Sequence, residues 1–186
     1  LANMTEKGAA YLVEEASTRK YVPVSLNEFC KNRIRKLEES GKWLEEHMPS
    51  EKAYAEGYIT IEGAENILNK IRNLLSQVDQ RVYISCTRNY LLLLVRELDE
   101  LMEARKKVVI LTDQPASFRN AKVYLGENRG MQIGIIADSK YVLTGEYGEG
   151  SMNTCLYSGQ KNFVELYKTA LANEIKLLSI REENRY

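Results

Sequence analysis

The chain has 186 residues, 44% of them apolar and 28% charged, which suffices for one hydrophobic core and a small appended element. Lysine plus arginine balances aspartate plus glutamate at 26 each, so no global positive field indicates a nucleic-acid-binding surface. The longest uninterrupted apolar run, Leu91 to Val95, is too short to cross a bilayer, and we expect a cytoplasmic protein without a membrane partner.

Cysteine and histidine are too sparse for most catalytic or metal-binding arrangements. Cys30, Cys86 and Cys155 are widely separated and odd in number, which argues against a disulfide framework and against a metal site. His47 is the only histidine and lies near the end of a charged helical run, so a hydrolytic triad could use only that imidazole. We therefore predict no cofactor, no metal site and no catalytic residue.

The first 24 residues have the pattern expected at the end of a winged-helix domain. Residues 1–8 resemble the last turn of a helix closed by Gly8, and extended runs at residues 9–14 and 20–24 suggest a hairpin. An unrelated hairpin is the alternative. We expect this segment to be a fragment of a DNA-binding domain.

A long helix is predicted within residues 25–49. Ser25 and Glu28 form a capping box at its start, and Pro49 prevents its continuation. Apolar or small residues recur at alternating intervals of four and three, which is the spacing of a two-stranded coiled coil. Parallel pairing, antiparallel pairing and a single helix packed on its own domain's core remain open. The residues predicted to mediate dimerisation are Cys30, Ile34, Leu37, Leu44 and Met48.

Strands and helices alternate from residue 50 to residue 186 in the manner of an α/β domain. The order strand, helix, strand, helix, strand at its start indicates a parallel central sheet. The strands are predicted at residues 57–62, 82–86, 108–112, 121–125, 132–137, 141–144 and 154–157, and the first two helices at 64–77 and 89–105. A closing helix, Lys161 to about Ile180, is predicted to bury Phe163, Val164, Leu166, Tyr167, Leu171, Ile175 and Leu178.

The segment from Met131 to Glu146 resembles the core of a phospholipase D half-unit whose reactive residues are replaced. In that family a histidine, a lysine two residues later and an aspartate five further on occupy a strand and its following turn, and a glycine follows. The chain keeps Asp138 and Gly145, but it has Met131 at the position of the nucleophilic histidine and Ile133 at that of the phosphate-binding lysine. A thioether cannot attack phosphorus, and an alkyl group cannot neutralise a phosphoryl oxygen. The resemblance therefore implies binding without hydrolysis.

Three segments together resemble the TrmB-like transcriptional regulators. They are Glu28-Phe29 at the start of the long helix after Tyr21-Val-Pro-Val24, the run Ile61 to Ile71 before Val82-Tyr-Ile-Ser85, and Met131 to Tyr147. The resemblance implies a winged helix, a dimerising helix and a C-terminal phospholipase-D-like domain, with a mixed sheet flanked by helices, that senses a small molecule, often a sugar. Residues 1–24, 25–49 and 50–186 would correspond to these parts of a homodimer. Operator DNA would be bound through the remainder of the N-terminal domain in the full-length protein.

Small molecules bind open α/β sheets beyond the carboxyl ends of parallel strands. We expect the effector at that edge, where carboxylates, amides and hydroxyls suit a polyol. Structural roles are the alternative: Ser85, Thr87 and Asn89 could cap a helix, and Asp138-Ser-Lys140 has the signature of a hairpin turn. The predicted effector-binding residues are Glu62, Ser85, Thr87, Arg88, Asn89, Asp113, Gln114, Asp138, Glu146 and Asn153.

These patterns favour the effector-sensing and dimerisation region of a transcriptional regulator. One alternative is a structural dimerisation module with a vestigial pocket, which an absence of ligand binding would favour. Another is a phospholipase-D-type phosphodiesterase, which would require His47 as its nucleophile. The sequence leaves open the effector's identity, the sign of its action and the target genes.

Overall fold

The computed structural model describes residues 2–15, 18–48, 57–127, 129–149 and 152–183. The chain divides into two compact units, Leu1–Lys52 and Ala53–Tyr186, called here the N-terminal unit and the C-terminal unit. Within the described residues, no helix combines the length and the apolar character that a membrane span requires.

The N-terminal unit contains a short helix, a hairpin and a long helix. Its elements are α1 (Ala2–Glu6), β1 (Ala10–Glu15), β2 (Thr18–Pro23) and α2 (Leu26–His47). Gly8 has a φ of 72°, the left-handed conformation that commonly closes a helix, and β1 pairs with β2 in antiparallel register. The predicted helix end, glycine and hairpin are therefore confirmed.

The start of α2 confirms one half of the predicted capping box. The Ser25 hydroxyl accepts a hydrogen bond from the Glu28 amide at 3.3 Å. The Glu28 carboxylate accepts a hydrogen bond from the Tyr11 hydroxyl at 2.6 Å, so it holds the hairpin to the helix start. Within the described residues, α2 has no buried side chain, and its predicted seam is exposed at Ile34, Leu37 and Leu44.

The C-terminal unit is a seven-stranded mixed sheet with helices on both faces. Its strands lie in the order β3-β9-β8-β7-β4-β5-β6. The strands are β3 (Tyr58–Glu62), β4 (Arg81–Ser85), β5 (Lys107–Thr112), β6 (Lys122–Leu125), β7 (Gln132–Ala137), β8 (Tyr141–Glu146) and β9 (Thr154–Ser158). The helices are α3 (Ala64–Ser76), α4 (Arg88–Leu91), α5 (Val95–Glu103) and α6 (Lys161–Glu183).

The predicted mixed α/β sheet is confirmed, but the expectation of a parallel central sheet needs correction. Only β4, β5 and β6 are parallel neighbours. β3 does not lie beside β4. β9 pairs with all five residues of β3, and the hairpin β7–β8 lies between β9 and β4. The other neighbouring pairs in the sheet are antiparallel.

The helix predicted for residues 89–105 is interrupted. A 3₁₀ turn, Leu92–Leu94, separates α4 from α5. Leu91 and Leu94 are both fully buried, and a 3₁₀ turn of about three residues aligns them on one side. The prediction was wrong because a uniform α-helical period cannot bury both of these residues and Leu98 equally well.

The hydrophobic core lies on both faces of the sheet. On one face, Ile67 and Ile71 of α3 and Leu98 of α5 pack against β4, β5 and β7. On the other face, α6 packs through Val164 and Leu178. The predicted burial of Leu166 was wrong, since this side chain is 66% exposed. Leu166 follows Val164 by two residues, a rotation of roughly 200° about the helix axis.

The turn between β7 and β8 is held by a carboxylate. Asp138 and Ser139 have φ values of 50° and 55°, the left-handed pair typical of a tight hairpin turn. The Asp138 carboxylate accepts hydrogen bonds from the amides of Asp79, Gln80 and Arg81 at 2.8, 2.8 and 2.9 Å. The turn that was predicted as an alternative to ligand binding is therefore present, and it fixes the entry to β4.

Gly145 should tolerate no side chain. A Cβ atom there would lie 2.1 Å from the Thr154 carbonyl oxygen and 2.7 Å from the Cys155 Cα atom, so β8 and β9 would have to separate. We expect Gly145→Ala to lower the free energy of unfolding by about 1–3 kcal/mol. Gly57→Ala is the matched control, since a Cβ there meets nothing within 4 Å. Equal urea midpoints for the two variants would contradict this packing.

Asp138 should contribute to stability only while it is ionised. Burial by itself raises the pKa of its carboxyl, but the three amide hydrogen bonds and Lys140 lower it, so the net pKa lies below the ordinary value. A lowered folded-state pKa means that the stabilisation is complete above the unfolded-state pKa, about 3.9, and is lost as the pH falls through the folded-state value. We expect Asp138→Asn to cost about 1–3 kcal/mol at pH 7.

The pH dependence of the stability difference between wild type and Asp138→Asn distinguishes loss of the hydrogen-bonded carboxylate from a general folding defect. Urea unfolding of the wild-type protein and of Asp138→Asn should converge as the pH is lowered below about 4. The exposed Asp99→Asn substitution removes the same charge from α5 and serves as the control. A constant difference between wild type and Asp138→Asn from pH 7 to the acid range would show that the hydrogen-bonded carboxylate is not responsible.

Candidate functional site

Nine of the ten residues predicted to bind an effector lie at one edge of the sheet. This edge contains the carboxyl ends of β3, β4, β5, β6 and β8, because Ser85 pairs with Gly134 and both Glu62 and Glu146 pair with Thr154. Asp138 is the exception. It follows the last residue of β7, which runs antiparallel to β4, so it lies at the opposite edge of the sheet. The expectation that Asp138 joins the other nine is therefore corrected.

The loop residues around the start of α4 are held by a contact from the neighbouring strand. The Asp113 carboxylate accepts a hydrogen bond from the Arg88 amide at 3.0 Å. Thr87 occupies the N-cap position without a side-chain cap hydrogen bond. Asp113 therefore supplies the cap that the sequence pattern assigned to residues before the helix. Arg88, Asn89 and Gln114 are exposed beside it.

The thiol next to this loop is not a nucleophile. Burial raises the pKa of Cys86 to about 12, with Arg129 lowering it and Asp113 raising it to lesser extents. Because the thiolate is the reactive form, Cys86 is inert near neutral pH.

Asn153 and Glu62 belong to a second cluster, where β3 and β9 meet. The Asn153 backbone carbonyl accepts a hydrogen bond from the Gly63 amide at 2.9 Å, and its side-chain oxygen accepts one from the Gly148 amide at 2.7 Å. The Asn66 side chain donates to the Glu62 carbonyl at 3.0 Å. These contacts organise the loops at the strand ends.

The remaining two predicted residues, Ser85 and Glu146, line a cleft between the sheet and α6. The cleft has a volume of about 410 Å³. We call it the α6 cleft. Its walls are Ser85, Arg129, Gln132, Ile133, Gly134, Ile136, Thr144, Gly145, Glu146, Tyr167, Ala170, Leu171 and Glu174.

Arg129 is the positively charged residue that lines this cleft. Its side chain is only 12% exposed and forms an ion pair with Glu174 through one terminal nitrogen. Its Nε atom is buried and, among the described residues, has no hydrogen-bond partner. A buried donor without an acceptor is costly, and such groups in native proteins call for an explanation. The Nε is closed to solvent even with the cleft empty, so a bound molecule could reach it only after the side chain moved.

The other polar groups of the α6 cleft come from three elements. The Thr144 and Tyr167 hydroxyls form a short hydrogen bond between β8 and α6. Gly134 lies directly beside the tyrosine, since a Cβ there would meet the Tyr167 ring at 3.4 Å, an ordinary van der Waals distance. Gln132 and Glu146 are exposed at the mouth. The cleft thus presents a guanidinium, two carboxylates, hydroxyls and an amide around an apolar floor.

Sequence reasoning missed most of the residues that line this cleft. The prediction placed the ligand in the loops that follow parallel strands. The cleft instead forms between the sheet and α6, on the face opposite α3 and α5. One available signal was the spacing of Tyr167 and Glu174, which are seven residues apart and so share one side of the helix. The residues missed as ligand candidates are Arg129, Gln132, Thr144, Tyr167 and Glu174.

The positions equivalent to the phospholipase D histidine and lysine lie beside the cleft. Ile133 is 2% exposed and packs in the core, and Met131 is 41% exposed at the beginning of β7. Neither side chain can form a covalent bond to phosphorus or neutralise an anion. The chain therefore lacks the imidazole and the ammonium at these two positions.

Comparison with known proteins supports the fold. No protein-family model and no curated protein sequence matches the chain. Among solved structures, TrmBL2, an archaeal chromatin protein whose structure shows a novel mode of DNA binding, matches with a TM-score of 0.54 and 16% identity, over 95% of this chain and 78% of that one.

Two further solved structures match a smaller part of the chain. NucT from Helicobacter pylori has a TM-score of 0.50 and 15% identity, over 64% of this chain and 97% of that one. Nuc from Salmonella typhimurium, a phospholipase D family member, has a TM-score of 0.51 and 10% identity, over 64% of this chain and 94% of that one. The predicted resemblance in fold is confirmed: the chain contains a phospholipase-D-like α/β domain, and its fold is similar to that of TrmBL2 over nearly its whole length.

Proposed function

We propose that the chain is the effector-sensing and dimerisation region of a TrmB-type DNA-binding transcriptional regulator. In this proposal the C-terminal unit binds a small molecule in the α6 cleft without hydrolysing it. The α6 cleft, which combines the Arg129–Glu174 ion pair and the Thr144 and Tyr167 hydroxyls with an apolar floor, is the single observation that carries the proposal. The similarity of fold to TrmBL2 is compatible with it.

The charges of the α6 cleft favour a neutral, hydroxylated ligand such as a sugar. Arg129 is already paired with Glu174, and Glu146 adds a second carboxylate at the mouth. A phosphate would meet two negative groups for one positive group and would be repelled. A sugar hydroxyl can accept from the Arg129 guanidinium and donate to a carboxylate at the same time.

The same geometry disfavours phosphodiesterase chemistry. The only histidine, His47, belongs to the N-terminal unit, where its ring stacks on Trp43 with 4.4 Å between centroids. Its Nδ1 lies 2.8 Å from the Trp43 carbonyl oxygen. These contacts give His47 a local structural role within α2, and β7 supplies alkyl groups where the reaction needs an imidazole and an ammonium.

Dimerisation through α2 remains part of the proposal. The helix exposes Leu37 and Met48, with 73% and 61% of their surface accessible, together with the other predicted seam residues. Exposed apolar residues at alternating spacings of four and three favour a helical partner. We propose the boundaries predicted from the sequence: residues 1–24 for the end of the winged helix, 25–49 for the dimerisation helix and 50–186 for the sensor.

Ligand binding should raise the melting temperature of the protein. A ligand at about 100 times its dissociation constant stabilises the folded state by about 2.7 kcal/mol. We would screen glucose, maltose, glucose 6-phosphate and inorganic phosphate by thermal shift, and we expect a response to a neutral sugar and none to phosphate. Arg129→Met should weaken the binding of the responding sugar at least about tenfold, because a hydrogen bond to a charged donor contributes about 1.5–3 kcal/mol.

Arg96→Met is the matched control for this experiment. Arg96 is 86% exposed on α5 and pairs with Glu100, so its loss should leave sugar affinity unchanged. Equal weakening in both variants would show a non-specific effect. A flat response of the wild-type protein across the whole panel would favour the vestigial pocket instead.

Sensing should also change the affinity for DNA. In the full-length protein, titration of operator DNA with and without the sugar found above should reveal a coupling of about 1–3 kcal/mol, that is, about a 5- to 150-fold change in dissociation constant. The Arg129→Met variant should bind the same DNA without responding to the sugar. DNA affinity that saturating sugar does not alter would refute the regulatory part of the proposal.

A further inference from the structure

The solvent-facing side of α6 is unusually apolar. Leu166, Leu177 and Ile180 expose 66%, 62% and 54% of their surface. Ala170 and Asn173, also exposed, lie between them. We call these five residues the outer stripe. They lie within about 40° of one line along the helix, on the side away from the buried Val164 and Leu178.

A surface helix ordinarily carries charges opposite its buried face. Between Leu166 and Ile180 no charged residue lies on the outer stripe: Glu174 and Lys176 lie roughly 80° to either side of its centre line, and Lys168 lies roughly 160° from it, toward the sheet. The outer stripe follows intervals of four, three, four and three residues from Leu166 to Ile180. This is the spacing of a two-stranded coiled coil over about 21 Å of helix.

The outer stripe is complementary to a reversed copy of itself. Asn173 is its midpoint, with Leu166 seven residues before and Ile180 seven residues after, and with Ala170 three before and Leu177 four after. Reversal places Leu166 opposite Ile180, the small Ala170 opposite the large Leu177, and Asn173 opposite itself. Two opposed asparagine amides can exchange hydrogen bonds, and a single polar residue in such a seam fixes its register.

We propose that α6 binds the α6 of a second copy of this chain in antiparallel orientation, through the outer stripe and about a two-fold axis at Asn173. Charge selects the orientation. In a parallel pair, a residue directly before a seam position faces the residue five positions later in the partner's sequence. Lys176 of each helix would then face Arg181 of the other, which gives two repulsive contacts. The antiparallel pair separates these four positive charges. An isologous contact of this kind is the commonest form of self-association.

This surface is distinct from the α2 seam, and it borders the proposed effector site. Ala170 belongs both to the outer stripe and to the wall of the α6 cleft. A second copy on the outer stripe would therefore lie next to the ligand. The self-association does not depend on the proposed sensing function, since it rests on the exposed side of α6 alone.

Cysteine cross-linking tests the proposed geometry directly. In a Cys30→Ser background the remaining native cysteines, Cys86 and Cys155, are buried. With the oxidant diamide, Asn173→Cys should form a covalent dimer, seen on a non-reducing gel. The control Ala172→Cys is also exposed but lies roughly 120° from the stripe, and it should cross-link at least about tenfold more slowly.

The orientation is tested by two further variants. Leu166→Cys and Ile180→Cys should not form dimers alone, since their copies lie about 21 Å apart in the antiparallel pair. They should cross-link when the two proteins are mixed. Leu177→Glu should abolish cross-linking of Asn173→Cys while circular dichroism and the melting temperature remain those of the parent, because Leu177 is exposed.

Two results would overturn the proposal. One is equal cross-linking of Asn173→Cys and Ala172→Cys, which would mean random collision. The other is self-cross-linking of Leu166→Cys as fast as that of Asn173→Cys, which would mean parallel pairing. If the cross-linking occurs as expected but no sugar binds to the protein, the sensing function alone is refuted.

Discussion

The packing of α6 against β7 and β8 is the interaction on which the α6 cleft, the proposed effector site, depends. Val164 and Leu178 bury this helix on one face of the sheet, and the Thr144–Tyr167 hydroxyl pair and the Arg129–Glu174 ion pair join the two layers at the strand ends. Between these anchors the layers do not close completely. The gap left by Gly134 and the small Ala170 is the α6 cleft.

β7 contributes the apolar floor of this cleft. Ile133 and Ile135 fill the core on one side of the strand, while Gly134 and Ile136 face α6. A phospholipase D strand would carry its reactive imidazole and ammonium at the positions of Met131 and Ile133, whereas Ile133 here packs in the core on the face opposite α6. Arg129, in the loop before β7, contributes a guanidinium to the cleft, and Glu174 of α6 neutralises its charge.

The sequence predicted those features whose cause is local. The α1–hairpin order, the Ser25 cap and the Asp138 turn each depend on residues within a few positions of one another. The features it missed join distant segments. Asp113 caps a helix 25 residues before it, Asp138 binds amides 57 to 59 residues before it, and Arg129 meets Glu174 across 45 residues. Helical periodicity also cannot state which of two apolar sides of α6 faces the sheet, and this is why Leu166 was assigned to the core.

The most direct measurement is the NMR resonance of the Arg129 Nε–H group, assigned by its absence in Arg129→Met. The account predicts that titration with a neutral sugar shifts this resonance in a saturable manner, because the sugar changes the surroundings of the guanidinium. A guanidinium resonance that is unchanged while a sugar binds elsewhere in the protein would contradict the claim that the α6 cleft is the effector site.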